Sequence, residues 1–149
     1  MTTSIEIDSM NGYDLDGTLS VNINSPKREK PYFKQTGKER QMFEEEKLHH
    51  YVNAKRTSLI PIKPFVVISG RSIRYLQPTI RWLEKKGLEP EAVLLMDMSR
   101  TRENMIAHKI DMCRKLKVVH YYEDDPKIAK AMSKAGITVT LGDWGKYEG

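Results

Sequence analysis

The chain has a single cysteine, Cys113, and lacks long apolar runs. One thiol cannot build a disulfide framework or a multi-cysteine zinc site, and it fits a reducing compartment. The longest apolar runs are four or five residues, as in 65–68 and 92–96, whereas a bilayer span needs about 18. Residues 1–8 show neither the basic start nor the apolar core of a secretory signal. We therefore expect a cytoplasmic protein without a membrane segment.

Basic residues are missing from the first 25 positions, which carry four acids. The positive excess lies in two middle stretches. Residues 26–64 have ten Lys and Arg against five Asp and Glu, and residues 65–117 have eleven against six. The net charge is +5. This distribution fits either an ordinary solvated surface or a positive rim that attracts an anionic substrate, and both interpretations stay open.

The pattern from residue 65 onward predicts the fold class. Short apolar strand patterns alternate there with helical stripes. The first stripe predicts a helix over 71–86 with Pro78 inside it, where proline is expected to kink it. Such alternation predicts an α/β fold: a Rossmann-like, three-layer α/β/α arrangement around a mainly parallel sheet.

Residues 20–64 interrupt this pattern between the first and second predicted strands. The stretch is polar, and its mixed-charge segment 38–56 predicts a helix. It is too short for an independent domain. With 149 residues, 39% of them hydrophobic, we expect one domain over 1–149 with a small cap-like insertion over 20–64.

Two carboxylates, Asp14 and Asp16, precede a glycine just after the first predicted strand. In parallel sheets, ligands bind at the carboxyl ends of strands, so both acids can converge on one point. An EF-hand loop is one alternative, but Gly17 comes two residues too early for it. The other alternative is a turn in which the two acids only cap the backbone.

A hydroxyl, a glycine and an arginine follow the second predicted strand, at Ser69, Gly70 and Arg71. A helix N-terminus directly behind them would suit a phosphate oxygen, although serine also caps helices for structural reasons alone. Lys109 lies on the next predicted helix, where most lysines are solvated. Its neighbour His108 is expected at the surface.

Three acids, Glu123, Asp124 and Asp125, end the strand pattern that begins at 118. Successive acids are costly unless they are solvated or bind a cation. Asp125 before Pro126 is the expected helix cap, which leaves Glu123 and Asp124 as candidate metal ligands. His120, within the strand, is expected in the core or at its rim.

Together and in this order, these motifs resemble those of the haloacid dehalogenase superfamily of phosphohydrolases. Asp14-x-Asp16-Gly17-Thr18 resembles its first motif, Ser69 the second, Lys109 the third, and Glu123-Asp124 the acidic fourth. One stretch is also similar to the phosphatase domain of phage-type polynucleotide kinase–phosphatases. The residues that carry this similarity are Ser69, Gly70, Arg71, Thr79, Trp82, Leu83, Leu94, Leu95, Met96, Arg100, Arg102 and Lys109.

The resemblance implies a phosphatase that works through an aspartyl-phosphate. Asp14 would be the nucleophile, and Asp16 would protonate the leaving oxygen and then activate water. Mg²⁺ would be held by Asp14, the main-chain carbonyl of Asp16, and Asp124, with Glu123 in support. The phosphoryl oxygens would be held by Thr18, Ser69, Gly70 and Lys109.

The substrate suggested by the closer similarity is a terminal 3′ phosphate on a nucleic acid or nucleotide. Candidate contacts are Arg71, Arg74, Arg100, Arg102 and the basic stretch 27–38, with Tyr32 and Phe33 available to stack on a base. A flexible, solvated loop is the alternative for that stretch. The function has two alternatives: a phosphatase of sugar phosphates or mononucleotides, and a non-catalytic nucleic-acid or protein-binding module on the same fold.

Overall fold

A five-stranded parallel sheet lies at the centre of the part of the chain that the computed structural model describes, residues 10–27 and 30–146. The strands are β1 (Met10–Tyr13), β2 (Phe65–Ser72), β3 (Val93–Met96), β4 (Val118–Glu123) and β5 (Val139–Leu141). Their order across the sheet is β3-β2-β1-β4-β5, and every paired neighbour is parallel. Residues 1–8, on which the expectation about a secretory signal rests, lie outside the described residues. So does Arg28, which belongs to the basic stretch 27–38.

Within residues 10–27 and 30–146, four α-helices accompany the sheet: α1 (Gly37–Asn53), α2 (Leu76–Lys85), α3 (Arg102–Lys115) and α4 (Pro126–Lys134). Alternate residues of β2 enter two separate cores. Phe65 and Val67 pack with Trp82 and Leu83 of α2 on one face. On the other face, Val66 and Ile68 pack with Cys113 of α3 and with Ile128 and Met132 of α4. This is the predicted three-layer α/β/α arrangement, and the fold class is confirmed.

The helix predicted over 71–86 begins later than expected. Strand β2 continues to Ser72, and a 3₁₀ turn over Ile73–Tyr75 precedes Leu76, the first residue of α2. Pro78 therefore falls in the first helical turn, where a missing N–H breaks no intrahelical bond. The expectation that Pro78 lies in the interior of the helix is wrong for that reason. The cap of α4 is as predicted, because Asp125 Oδ1 accepts from the backbone N–H of Lys127 at 2.9 Å.

The insertion is tied to the core by its second half. Helix α1 starts at a capping box formed by Thr36 and Glu39 and packs against α2. The carbonyl of Ala54, the residue that ends α1, accepts from Trp82 Nε1 at 2.8 Å. Beyond it, Thr57 Oγ1 donates to the carbonyl of Thr18 at 2.5 Å. The chain after α1 thus returns to the loop that follows β1.

No helix among the described residues combines the length and the apolar character needed to cross a bilayer.

Replacing Trp82 with Phe tests how firmly the insertion is docked. The ring stays buried, but the bond to the Ala54 carbonyl is lost. We expect the free energy of unfolding to fall by about 1 kcal/mol, with faster amide hydrogen exchange in the second half of α1. Urea denaturation and hydrogen-exchange mass spectrometry measure the two effects. Unchanged exchange in α1 would contradict the role given to this bond.

Candidate active site

The carboxyl ends of β1 and β4 bring three acids together. The two strands are neighbours, with Tyr13 in register with Tyr122, so Asp14 and Glu123 leave the sheet side by side. Oxygen atoms of Asp14, Glu123 and Asp124 lie within 4.8 Å of one another. Asp14 and Glu123 are buried, and Asp124 is half-buried. We call these three residues the acidic cluster.

Lys109 of α3 reaches this cluster with its ammonium group. Its Nζ lies 3.2 Å from Asp14 Oδ1 and 2.5 Å from Glu123 Oε1, and the residue is only 2% exposed. The second oxygen of Glu123 accepts from the backbone N–H groups of Asp124 and Asp125, both at 3.1 Å. Both oxygens of Glu123 are therefore engaged by neighbouring groups of the chain.

The acidic cluster carries more negative charge than Lys109 can neutralise. Burial raises the pKa of Asp14 well above its usual value, and the charge of Glu123 adds to the rise. Burial also raises the pKa of Asp124 to about 6. Burial alone would lower the pKa of Lys109, but the charges of Asp14 and Glu123 outweigh it and raise that pKa. One fixed positive charge thus faces three acids.

These observations fit a divalent cation. Two further positive charges would balance the acidic cluster and remove the repulsion that raises the pKa of its members. Carboxylate oxygens are the ligands that hard cations such as Mg²⁺, Mn²⁺ and Ca²⁺ take. The acidic cluster can therefore hold a metal ion.

Gly17 makes room for Asp124. The backbone at Gly17 has φ +85°, which side-chain-bearing residues rarely adopt. A Cβ there would also collide with Oδ2 and Cγ of Asp124. The glycine that follows Asp14 and Asp16 in the sequence is thus required by conformation and by space, at the edge of the acidic cluster.

The side chain of Asp16 lies apart from the acidic cluster and forms its own ion pair. Its Oδ1 accepts from Arg71 Nη2 at 2.7 Å and its Oδ2 from Arg71 Nε at 3.3 Å. Burial pushes the pKa of Asp16 upward, but the Arg71 guanidinium outweighs it and holds that pKa below its usual value. Asp16 is therefore ionised in this state, and its ion pair with Arg71 lowers its affinity for a proton.

Ser69 and Thr18 are both buried. In the sequence, Thr18 lies two residues after Asp16 and Ser69 lies two residues before Arg71, and Gly70 follows Ser69 within β2. Ser69 Oγ accepts from the backbone N–H of Arg71 at 3.0 Å. Thr18 Oγ1 is buried without a hydrogen-bond partner among the described residues. The helix N-terminus expected directly behind Gly70 is absent, because β2 continues to Ser72 and α2 starts only at Leu76.

The four predicted arginines have different surroundings. Arg71 is 3% exposed and lies inside the site with Asp16. Arg74 pairs with Glu44 of α1 at 3.2 Å and is 62% exposed. Arg100 Nε donates to the carbonyl of Gly70 at 2.8 Å. The fourth, Arg102, pairs with the helix cap Asp125 at 3.4 Å and is 53% exposed.

The two histidines near the motifs are structural. His108 is 8% exposed and its Nε2 lies 3.2 Å from the carbonyl of Leu94, so its predicted surface position is wrong. The residue lies on the side of α3 that faces the sheet. His120 is partly buried, as expected for the core or its rim, and its ring stacks on Tyr122 at 4.6 Å.

A cavity of about 650 Å³ opens beside Ser72, at the carboxyl end of β2. We call it the basic groove. Its wall combines cationic and aromatic side chains from α1, from the turn after β2 and from the loop after β3. The lining residues are Tyr32, Phe43, Glu44, Lys47, Ser72, Arg74, Tyr75, Ser99, Arg100 and Met105. Sequence reasoning missed Phe43 and Lys47, since nothing in the mixed-charge insertion shows which face of α1 lines this groove. It also missed Tyr75, which lies in the 3₁₀ turn before α2.

Two solved structures share this architecture. A chain of the Pnkp1/Rnl/Hen1 RNA repair complex superposes with a TM-score of 0.61 and 17% identity, over 93% of this chain and 44% of that one. The haloacid dehalogenase-like hydrolase SP0104 from Streptococcus pneumoniae superposes with a TM-score of 0.60 and 10% identity, over 94% and 87%. The chain has the haloacid dehalogenase-like fold. The expected fold is thereby confirmed. The chain spans less than half the length of the repair-complex protein.

No protein-family model and no curated protein sequence matches this chain. The haloacid dehalogenase-like fold is thus established by structure. In that fold, the acidic cluster, Lys109 and the pair of Asp16 with Arg71 all lie at the carboxyl ends of the central strands, where such sheets bind ligands.

Cation binding to the acidic cluster should depend on pH. In the metal-free folded chain, the pKa values of Asp14 and Asp124 lie above their unfolded values. The contribution of Asp124 to stability therefore falls as pH rises from about 4 through about 6, and that of Asp14 falls as pH rises through its own raised pKa. Mg²⁺ binds the ionised carboxylates, so it should raise the melting temperature little at about pH 5 and markedly at about pH 8. Thermal denaturation at both pH values measures this.

Asp124→Asn is the matched test of the cluster. It removes one of the repelling charges, so the metal-free variant should melt higher than the wild type at about pH 8 and should lose the increase due to Mg²⁺. Asp143→Asn, at a 67% exposed acid paired with Lys146, should keep that increase. An equal Mg²⁺ effect in wild type and Asp124→Asn would refute the assignment of the acidic cluster as the cation site.

Proposed function

We propose that this protein is a Mg²⁺-dependent phosphomonoester hydrolase that works through an aspartyl-phosphate on Asp14. The observation that carries the proposal is the acidic cluster, with the buried Lys109 beside the candidate nucleophile. A carboxylate that is to attack an anionic phosphate needs positive charge around it. Asp14 lies where Lys109 and a bound cation would supply that charge together.

The reaction would proceed in two displacements at phosphorus. An Asp14 oxygen forms a bond to phosphorus while the bond to the ester oxygen breaks, which leaves a phosphoaspartate and an alcohol. Water then attacks phosphorus, and the bond to Asp14 breaks to release inorganic phosphate. Lys109 stays protonated throughout, because Asp14 and Glu123 raise its pKa, and its ammonium offsets charge on the transferring group.

Asp16 is the proposed acid–base residue. Its proton goes to the departing ester oxygen in the first step, and in the second step its carboxylate takes a proton from the attacking water. Arg71 keeps Asp16 ionised when no substrate is present. A phosphate dianion next to Asp16 raises the pKa of its carboxyl by like-charge repulsion, which allows protonation before the first step.

The remaining groups would position the phosphate and the metal. Mg²⁺ would be held by Asp14, Asp124 and the main-chain carbonyl of Asp16, with Glu123 in support. When bound, it would supply charge neutralisation for the phosphoryl oxygens. Ser69 and Gly70 would contact those oxygens. Thr18 would do so through its buried hydroxyl, which lacks a partner among the described residues.

The proposed substrate is a terminal 3′ phosphate on a nucleic acid or nucleotide. The basic groove supports this choice, since Lys47, Arg74 and Arg100 can face a phosphate backbone and its aromatic side chains can stack on a base. One structural neighbour belongs to an RNA repair complex, which is consistent with an RNA or DNA end. Arg71 would contact the substrate inside the site, and Arg102 would contact it at the edge of the site.

Phosphate release in the presence of Mg²⁺ tests the proposal. The panel is a 3′-phosphorylated oligonucleotide, the same oligonucleotide with a 5′ phosphate, mononucleotides, a sugar phosphate and an aryl phosphate. We expect kcat/KM to be highest for the 3′-phosphorylated oligonucleotide and to fall with salt. Asp14→Asn and EDTA should each reduce release to background. No Asp14-dependent release from any substrate would refute the proposed activity.

The groove is tested separately by Arg74→Gln. This change should lower kcat/KM several-fold for the oligonucleotide and leave the aryl phosphate unaffected, because only the longer substrate reaches the groove. Arg114→Gln makes the same charge change on α3, where Arg114 bonds the carbonyl of Ala135, and should behave as wild type. A preference for sugar phosphates or mononucleotides would keep the chemistry and refute the nucleic-acid substrate.

A further inference from the structure

Arg71 is held by the protein along its edges and on one face. Two of its nitrogens bond the Asp16 carboxylate, and a third, Nη1, donates to Thr79 Oγ1 at 2.8 Å. The face of the guanidinium lies over the ring of Tyr51, with Cζ 3.6 Å from the ring centroid. An arginine fixed along its edges and on its face has little freedom to rotate, and the carboxylate bound to it shares that restriction.

Tyr51 differs from the other partners of Arg71 in its origin. Asp16 follows β1 and Thr79 lies on α2, so both belong to the α/β core. Tyr51 lies near the end of α1, within the insertion, and is 4% exposed. Its ring packs edge-on against Tyr75 at 5.0 Å and 77°. The insertion therefore places one buried aromatic ring against the guanidinium that holds Asp16.

We propose that Tyr51 is a positioning residue for Asp16, acting through the stacked guanidinium of Arg71. This inference rests on the proposed function, because it assumes that Asp16 exchanges a proton with the leaving oxygen. The insertion then helps to orient Asp16, the proposed acid–base residue, and also lines the basic groove. The ring face of Tyr51 is what matters, since that face meets Arg71.

The test compares two leaving groups. Phenyl phosphate releases a basic phenolate that needs a proton, whereas 2,4-dinitrophenyl phosphate releases a weakly basic anion that needs none. The constant kcat/KM reports events up to the first phosphoryl transfer, so it isolates the proton donated to the leaving group. In Tyr51→Leu, kcat/KM should fall by about 10²-fold for phenyl phosphate and stay near wild type for the dinitrophenyl ester.

Tyr51→Phe keeps the ring and should keep wild-type values for both esters. Val52→Ala, at the next residue of α1 and 43% exposed in the wild type, controls for general effects on the helix. Circular dichroism and the melting temperature show whether each variant is folded. If Tyr51→Leu does not fold, Thr79→Val removes another partner of Arg71 in a nearly isosteric way and should give the same selective loss with phenyl phosphate.

The outcomes separate this inference from the proposed function. Equal losses with both esters in Tyr51→Leu, or no loss with either, would overturn the positioning role while wild-type activity remains. A loss in Tyr51→Phe as large as in Tyr51→Leu would overturn the role of the ring face. Absence of Asp14-dependent activity in the wild type would instead refute the proposed function itself.

Discussion

One lysine ammonium faces three carboxylates at the centre of this protein, and the rest of the site is arranged around that imbalance. Lys109 contacts Asp14 and Glu123 while nearly fully buried, so none of these charges is well solvated. Removing one partner from a buried ion pair typically costs about 3–5 kcal/mol. The parallel register of β1 and β4, the glycine before Thr18 and the position of α3 all keep these charges at fixed distances.

A second pair of charges lies beside the first and has a different character. Asp16 and Arg71 neutralise each other, whereas the acidic cluster keeps an excess of negative charge. In the proposed mechanism the two arrangements would serve two tasks. The acidic cluster would attract a cation to Asp14, and the second, the pair of Asp16 with Arg71, would hold the proton-exchanging group in a defined orientation. The insertion contacts the second arrangement through Tyr51 on Arg71.

The α/β layers from residue 65 onward, and the acids that follow the strands, were readable in the sequence because strand and helix periodicities are local signals. The central strand β1 was predicted from the acids that follow it, and its own composition is a weak strand signal, because Met10–Tyr13 is held by paired neighbours on both sides. Gly12 in this strand leaves space that the Tyr121 ring fills. The pairing of Asp16 with Arg71, the burial of His108 and the place of Tyr51 depend on contacts between distant segments. No local pattern encodes those contacts.

The most direct test of the account is to identify the residue that carries the phosphoryl group. The protein is mixed with Mg²⁺ and an aryl phosphate, quenched in the steady state and reduced with borohydride, which converts a phosphoaspartate into homoserine. Peptide mass spectrometry then locates the modified position. The account predicts homoserine at position 14 in the wild type and none in Asp14→Asn. Phosphate release with modification at another residue, or with no modified residue in the wild type, would contradict it.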